Sequence, residues 1–221
     1  MFKVELVIGR MGKGKTTKAY HDARTASANV IIFDPKKQFD DPSVFPHITE
    51  NPSVLEDLAA QAKFPLVYWP GADLEEEFED FADVVRECEG AAVLLDEARL
   101  LMNPQGLHKD LGEILRSSRH RSQSLFLTFH RMQQAHGDVL DDATDYVLFG
   151  AKGKLALNKI EDYTSEEVRD AVQRLTGKEC VHWIVDQEEF FVVKDSRSWF
   201  ERISKKGAAA VARGEQSARA A

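Results

Sequence analysis

VELVIGRMGKGKT, residues 4–16, joins an apolar run to a glycine-rich loop. The run Val4–Ile8 predicts a buried strand, and the residues from Gly9 match the pattern G-x-x-x-x-G-K-[S/T] in full. Directly after a strand and before a helix, such a loop exposes several backbone N–H groups that can wrap a phosphate chain. The stretch therefore predicts a nucleotide site, whose remaining residues lie elsewhere in the chain.

ATP and Mg²⁺ are the expected cofactors of this loop. Lys15 is predicted to reach the β- and γ-phosphates, and the Thr16 hydroxyl is a predicted Mg²⁺ ligand. The predicted nucleotide contacts are Gly9, Gly12, Lys13, Gly14, Lys15, Thr16 and Thr17.

A second motif, AAVLLDE at residues 91–97, predicts a central strand that ends in two acids. At the carboxyl end of that strand Asp96 is expected beside the phosphate loop as a second Mg²⁺ ligand. Glu97 lies where a base orients a water toward the γ-phosphate. Transfer to a hydroxyl would not need this second acid, so the pair favours hydrolysis.

A basic segment, RSSRHR at residues 116–121, precedes a further apolar strand at residues 125–129. His130 follows that strand and is expected at the same edge of the sheet, as a sensor of the γ-phosphate. Arg116 and Arg119 suit an interface that carries positive charge to a neighbour's γ-phosphate. A basic surface turn paired with the acidic residues upstream is the alternative.

Apolar runs alternate with helical patterns along residues 4–149, which is typical of βαβ units. The predicted fold class is α/β, a P-loop NTPase of the ASCE/RecA-like type, with a mostly parallel sheet and helices on both faces. Residues 181–185 and 190–193 predict an antiparallel hairpin at the sheet edge. Residues 1–203 are expected to form a single ATPase domain, followed by an alanine-rich tail at 204–221.

Charge is distributed unevenly along the 221 residues, whose formal net charge is −8. Residues 50–97 contain fourteen acids and two bases, whereas residues 99–131 contain six bases and two acids. The net charge gives no argument for a nucleic-acid partner. The segregation indicates a solvated acidic helix and a basic subunit interface. No apolar run approaches the roughly 18 residues that a membrane span requires.

Four short motifs together resemble the FtsK–HerA superfamily of DNA-pumping ATPases. They are the phosphate loop, IFDPK at residues 32–36, LLDEA at 94–98 and SRHR at 118–121. The compact chain is most similar to the genome-packaging ATPases of tailless viruses with an internal membrane. The resemblance extends over residues 3–150.

This resemblance implies a homohexameric ring that hydrolyses ATP and moves double-stranded DNA into a preformed capsid. Arg119 or Arg116 would then act on the neighbouring subunit, and capsid-vertex or packaging proteins would be further partners. The implied location is the virion packaging vertex or the host cytoplasm. The sensor position is usually Gln in this superfamily, whereas here it is His130, which adds a pH dependence.

Three other functions fit parts of the sequence. A zonula-occludens-toxin-like phage assembly ATPase shares the arginine-histidine pattern before a strand but usually carries a membrane span. A small-molecule or nucleotide kinase would use Arg119 and Arg121 within one chain. A non-enzymatic nucleotide switch would have no use for Glu97. Lys152, Lys154 and Arg131 are candidate contacts to DNA phosphates, or simply part of a surface turn.

Overall fold

Strand Val4–Ile8 lies in the middle of a ten-stranded sheet, between the strands Ser124–Phe129 and Asp145–Phe149. The computed structural model describes residues 2–194 and the backbone of residues 200–203. In chain order the strands are β1 Val4–Ile8, β2 Val30–Phe33, β3 His47–Thr49, β4 Leu66–Tyr68, β5 Ala92–Leu95, β6 Met102–Asn103, β7 Gly106–Leu107, β8 Ser124–Phe129, β9 Asp145–Phe149, β10 Cys180–Ile184, β11 Glu189–Val193 and β12 Phe200–Ile203.

Seven neighbouring strands, in the order β3-β4-β2-β5-β8-β1-β9, run parallel. Strands β10, β11 and β12 continue the sheet with antiparallel pairing. The predicted hairpin is therefore present, but β12 lies outside it, so the hairpin does not form the edge. Strands β6 and β7 form a separate small hairpin after β5.

Helices cover both faces of the sheet, as the sequence predicted, but unequally. They are α1 Lys15–Ala26, α2 Pro52–Ala60, α3 Leu74–Glu87, α4 Lys109–Ser118, α5 Gly137–Asp141, α6 Lys154–Tyr163 and α7 Glu166–Arg174. Helix α1 packs on one face, together with Phe39 and Phe45 from the loop after β2. The apolar sides of α2 to α7 pack on the opposite face.

Helix α3 shows how the amphipathic pattern produces this packing. Phe78 and Phe81 are buried, and both rings contact Phe33 of β2, with centroids 5.2 and 5.1 Å apart. Edge-on aromatic pairs of this kind add to the free energy gained from burial. The acidic residues of α3 are consequently exposed to solvent, except Glu77, which accepts a hydrogen bond from the Tyr68 hydroxyl.

Helix α6 was not predicted, because only Ile160 within it is fully buried and the apolar periodicity is weak. Gly153 precedes it with φ +107°. The loop that contains Lys152 therefore ends at Gly153, and Lys154 begins the helix.

A buried polar network lies between the sheet and α1. Glu5 is fully buried on β1, with the Lys3 ammonium 2.6 Å from its Oε2 atom. Asp145 on β9 contacts the same ammonium at 3.3 Å and lies 2.7 Å from Nε2 of His182 on β10. The Lys3 ammonium and the His182 ring thus lie against two carboxyl groups that are buried within the sheet.

No helix in the described part of the chain is long and apolar enough to cross a bilayer. The alanine-rich tail at 204–221 lies outside the described residues, so its boundary stays a prediction.

Candidate nucleotide site

The glycine-rich loop connects the carboxyl end of β1 to the first turn of α1. Gly9 N donates a hydrogen bond to Phe129 O at 3.0 Å, which fixes the start of the loop against β8. Gly12 and Gly14 have φ angles of +76° and +94°, a backbone conformation that favours glycine. A Cβ atom at Gly9 would lie 2.5 Å from Cβ of Phe149. The glycines are therefore required by backbone geometry and by close packing.

Two further loop residues have contrasting positions. Lys13 Nζ donates to Gly177 O at 2.9 Å, which ties the loop to the turn after α7. Thr17 is exposed in the first turn of α1. The predicted roles of Lys13 and Thr17 in nucleotide binding stay predictions.

Lys15 is the buried cation of the site. Its Nζ atom lies 3.4 Å from Nδ1 of His130, and the residue is only 7 % exposed. Burial lowers the pKa of the Lys15 ammonium, and the carboxylates of Glu97 and Asp96 oppose this shift. A partly desolvated cation at a helix N-terminus is suited to an anionic ligand.

Asp96 follows β5 and accepts hydrogen bonds from three side chains. Its Oδ1 atom accepts from Thr16 Oγ1 at 3.0 Å and from Thr128 Oγ1 at 2.8 Å, and its Oδ2 atom accepts from Gln38 Nε2 at 2.8 Å. Burial raises the pKa of the Asp96 carboxyl, and the bonds from Thr128 and Thr16 counteract that shift. The Thr16 hydroxyl and the Asp96 carboxylate thus form an oxygen pair of the type that Mg²⁺ prefers.

Glu97 has a left-handed backbone, with φ 53° and ψ 44°, which is strained for a residue with a side chain. Its backbone N–H donates to Thr128 Oγ1 at 2.9 Å. The carboxylate is held at both oxygens: Oε1 is 2.9 Å from His130 Nε2, and Oε2 is 2.9 Å from Arg99 Nε. The strained turn and these two contacts direct the carboxylate toward the phosphate loop.

His130 therefore lies between Lys15 and Glu97. If Nε2 carries the proton, it donates to Glu97 while Nδ1 accepts from Lys15, so the neutral ring satisfies both contacts. The position at the end of β8 agrees with the sequence prediction.

Asp34 organises the loop that brings Gln38 to Asp96. This fully buried side chain accepts from the backbone N–H of Phe39 at 2.9 Å and of Lys36 at 3.2 Å, and from Trp69 Nε1 at 3.1 Å. Burial raises its pKa, and these donors oppose the shift. The Asp-Pro-Lys motif thus supports the site through the backbone.

The arginines predicted to act on a neighbour are not at this edge of the sheet. Arg116 and Arg119 are exposed near the end of α4, and Arg119 lies over the ring of Phe2, 5.2 Å from its centroid, at the amino end of β1. Arg121 donates to Arg86 O, also away from the phosphate loop. This placement does not suit a clamp within one chain, and a role toward a neighbour stays a prediction.

Three residues of the site were missed by the sequence analysis: Gln38, Arg99 and Thr128. Thr128 could have been identified from the sequence, because it is the one hydroxyl in the otherwise apolar run at residues 125–129. Gln38 and Arg99 depend on how two irregular loops fold, which no periodicity encodes.

Comparisons with known proteins identify the fold. No protein-family model and no curated protein matches the sequence. The solved structure of the genome-packaging NTPase B204 from Sulfolobus turreted icosahedral virus 2, in complex with AMPPCP, superposes with a TM-score of 0.74 at 19 % identity, covering 86 % of this chain and 96 % of B204.

Two further structures are similar. The B204 DNA-packaging ATPase of Sulfolobus turreted icosahedral virus gives a TM-score of 0.67 at 19 % identity, with 86 % and 96 % of the two chains covered. VirB4 of Thermoanaerobacter pseudethanolicus gives 0.64 at 12 % identity, with 86 % and 88 % covered. The predicted P-loop NTPase fold, and its resemblance to genome-packaging ATPases, are confirmed at the level of the fold.

Proposed function

We propose that this chain is an ATPase that uses Mg²⁺ and ATP to move double-stranded DNA into a viral capsid. The observation that carries the proposal is the carboxylate of Glu97, which lies 2.9 Å from Nε2 of His130, the same ring whose Nδ1 contacts Lys15. A second acid in this place serves attack by water, and it has no comparable task in transfer to a bound hydroxyl.

The phosphate loop would bind ATP through its backbone N–H groups, with Lys15 leaving His130 to contact the β- and γ-phosphates. Thr16 and Asp96 would hold Mg²⁺, which when bound neutralises charge on the phosphate oxygens. Gln38 and Thr128 keep the Asp96 carboxylate in place for that task.

Glu97 would orient the attacking water and accept its proton. His130 keeps this carboxylate in position and, once Lys15 has moved to the nucleotide, its Nδ1 atom faces the phosphates. The contact of one imidazole with both residues links nucleotide binding to the orientation of the base.

The chain would work as a homo-oligomer, a hexameric ring at the virion packaging vertex or in the host cytoplasm, together with capsid-vertex or packaging proteins. Similarity of fold to the B204 packaging NTPases supports this choice. In such a ring Arg119 or Arg116 of one subunit would contact the γ-phosphate bound by the next.

Native mass spectrometry and ATP hydrolysis on one sample test the proposal. We expect a ring-sized assembly and turnover that double-stranded DNA stimulates, with stimulation falling steeply as salt increases because DNA contacts are mainly to phosphates. Hydrolysis that is indifferent to DNA would reject translocation. Phosphate transfer to an added nucleoside monophosphate by a monomer would support a kinase instead.

A further inference from the structure

A buried group of two acids and one histidine lies across three neighbouring strands, on the face of the sheet that α1 covers. Glu5 of β1 is paired in register with Asp145 of β9, and His182 of β10 is opposite Val147, two residues further along β9. Residues two apart on a strand point to the same face, so the three side chains converge. One oxygen of each acid and one ring nitrogen all lie within 4.8 Å of one another.

The distances between these atoms suit one small cation. Nε2 of His182 is 2.7 Å from Oδ1 of Asp145 and 3.9 Å from Oε2 of Glu5. Ligand atoms about 2.0–2.2 Å from a tetrahedral Zn²⁺ ion are roughly 3.3–3.6 Å apart, which lies between the two observed distances. Small rotations of the side chains would therefore bring all three atoms to one ion.

Glu5 has an oxygen without a donor in this group. Its side chain is 0 % exposed, and its Oε1 atom is buried with no hydrogen-bond partner among the described residues. Asp145 differs, because its Oδ2 atom accepts from Thr144 Oγ1 at 2.7 Å while Oδ1 faces His182. Buried carboxylate oxygens are normally compensated by donors or by a metal ion. Glu5 therefore points to a ligand beyond the chain's own residues.

The ammonium of Lys3 shows that a cation fits between the two acids. Its Nζ atom is 2.6 Å from Oε2 of Glu5 and 3.3 Å from Oδ1 of Asp145. The Lys3 side chain is 24 % exposed and comes from the residue before β1, so it can turn to solvent when a metal ion enters. Metal binding would also release any proton that Glu5 carries. Lys18 of α1, a further cation near Glu5, is already paired with Asp22.

We propose that Glu5, Asp145 and His182 bind one Zn²⁺ ion. An imidazole with two carboxylates is a donor set for a first-row transition ion, whereas Mg²⁺ favours oxygen ligands and retained water. The two carboxylates balance the charge of the ion once Lys3 has turned away. Because three strands each supply one ligand, the ion would hold together the place where the parallel part of the sheet meets the antiparallel strand β10.

This site is separate from the nucleotide site. Its two acids lie near the amino ends of β1 and β9, whereas the phosphate loop follows the carboxyl end of β1. The inference therefore does not rest on the proposed function, and it is measured without ATP or DNA.

A second group of possible ligands consists of Glu79, His108 and Asp110. It suits a metal ion less well, because Arg86 is already paired with Asp110 and Glu79 is exposed. This group therefore serves as a comparison.

Titration of Zn²⁺ into the full chain, first stripped of metal with a chelator, tests the proposal. We expect one equivalent to bind. The midpoint of thermal unfolding should rise by about 5–10 °C when free Zn²⁺ is about 100 times its Kd. Co²⁺ in place of Zn²⁺ should give the visible absorption bands of a tetrahedral ion, which added Zn²⁺ then removes.

Two variants should change the affinity in opposite directions. His182→Ala should weaken Zn²⁺ binding by at least about 100-fold, because losing only a partner that orients a ligand already costs about 10–100-fold. Lys3→Met should instead tighten binding by about 10-fold, since no ammonium has to be displaced. A purely structural role of the three residues would not produce this gain.

His108→Ala and His130→Ala are matched controls, because each removes an imidazole that lies beside carboxylates elsewhere in the chain. Both should bind Zn²⁺ like the wild type, and loss of binding in either would overturn the inference, since the ion would then be held elsewhere. So would a wild type that binds no Zn²⁺, a His182→Ala chain that binds it equally, or a Lys3→Met chain that binds it more weakly. Thermal unfolding without metal shows whether each variant is folded, and if His182→Ala is not, the Lys3→Met comparison decides.

Discussion

The imidazole ring of His130 connects the lysine of the phosphate loop to the carboxylate that follows β5. His130 contacts Lys15 through Nδ1 and Glu97 through Nε2. Arg99 holds the other oxygen of the same carboxylate at 2.9 Å. The position of the Glu97 carboxylate thus depends on His130 and Arg99. His130 is the more informative residue to replace, because it also contacts Lys15.

Replacing His130 with alanine should lower ATP turnover by about 10²-fold, the effect typical of a lost acid–base partner. The change removes the group that orients Glu97 but leaves the phosphate loop intact, so KM for ATP should change much less than kcat. Steady-state hydrolysis over a range of ATP concentrations measures both. His21→Ala, at an exposed histidine of α1, is the matched control. Unchanged turnover in His130→Ala would remove this residue from the site.

A residue of the site could be predicted from the sequence only where its neighbours in the chain determine its position. The phosphate loop and Asp96 could be read from the sequence, because a motif in contiguous residues fixes where a strand ends. Gln38 could not, since it reaches Asp96 only through the turn that buried Asp34 imposes on the backbone. The contact of Arg99 with Glu97 could not be predicted either, because the left-handed turn at Glu97 determines where the Arg99 side chain lies.

At the scale of elements, strongly periodic or fully apolar segments were predictable and weakly periodic ones were not. Strand β5 and helix α3 follow directly from their patterns, whereas α6 buries only Ile160 completely and β3 has three residues. A short strand gains its stability from pairing with a neighbour, here β4, and such pairing leaves no periodic pattern in the sequence.

The junction of β1, the phosphate loop and β9 gives a prediction at this scale. Gly9→Ala places a methyl group 2.5 Å from Cβ of Phe149, so β9 or the loop must shift. We expect a loss of about 1–3 kcal/mol in the free energy of unfolding, as for other overpacked sites, together with weaker ATP binding. Chemical denaturation and nucleotide titration measure the two effects. Gly137→Ala is the control, because a Cβ atom there meets nothing within 4 Å, and equal stability of the two variants would contradict the packing argument.

The polar network beneath α1 gives a pH dependence. Burial raises the pKa of Glu5 to about 8, with Asp22 adding to the shift and Lys3 opposing it. The folded chain therefore keeps a proton that the unfolded chain releases above about pH 4.5. This group consequently makes the free energy of unfolding fall as the pH rises from about 4.5 to about 8.

Glu5→Gln keeps the shape of the side chain but cannot ionise, so its stability relative to the wild type should improve from pH 5 to pH 9. Thermal unfolding at the two pH values measures the difference. Glu75→Gln, at an exposed acid of α3, should show no such trend. A relative stability of Glu5→Gln that does not depend on pH would show that Glu5 is ionised throughout this range in the folded chain.

Across the whole molecule, the net charge of −8 conceals an uneven distribution, with acids concentrated in residues 50–97 and bases in residues 99–131. The structure places Arg119 over the ring of Phe2, at the amino end of β1. A monomer has no evident use for arginines at the end of the sheet opposite its phosphate loop. In the proposed ring, however, these side chains would contact the nucleotide site of the next copy.

Mixing two inactive variants distinguishes action within a chain from action between chains. Lys15→Ala is expected to abolish nucleotide binding in its own subunit, and Arg119→Ala removes the arginine. If Arg119 acts on the neighbour, mixed assemblies contain interfaces in which an intact Lys15 site meets an intact Arg119, and hydrolysis should recover to about a quarter of the wild-type rate by random pairing. Lys15→Ala mixed with the double variant Lys15→Ala/Arg119→Ala has no intact site and should remain inactive. Mixtures of the two single variants that stay inactive, although native mass spectrometry shows that both enter one assembly, would place Arg119 outside the catalytic interface.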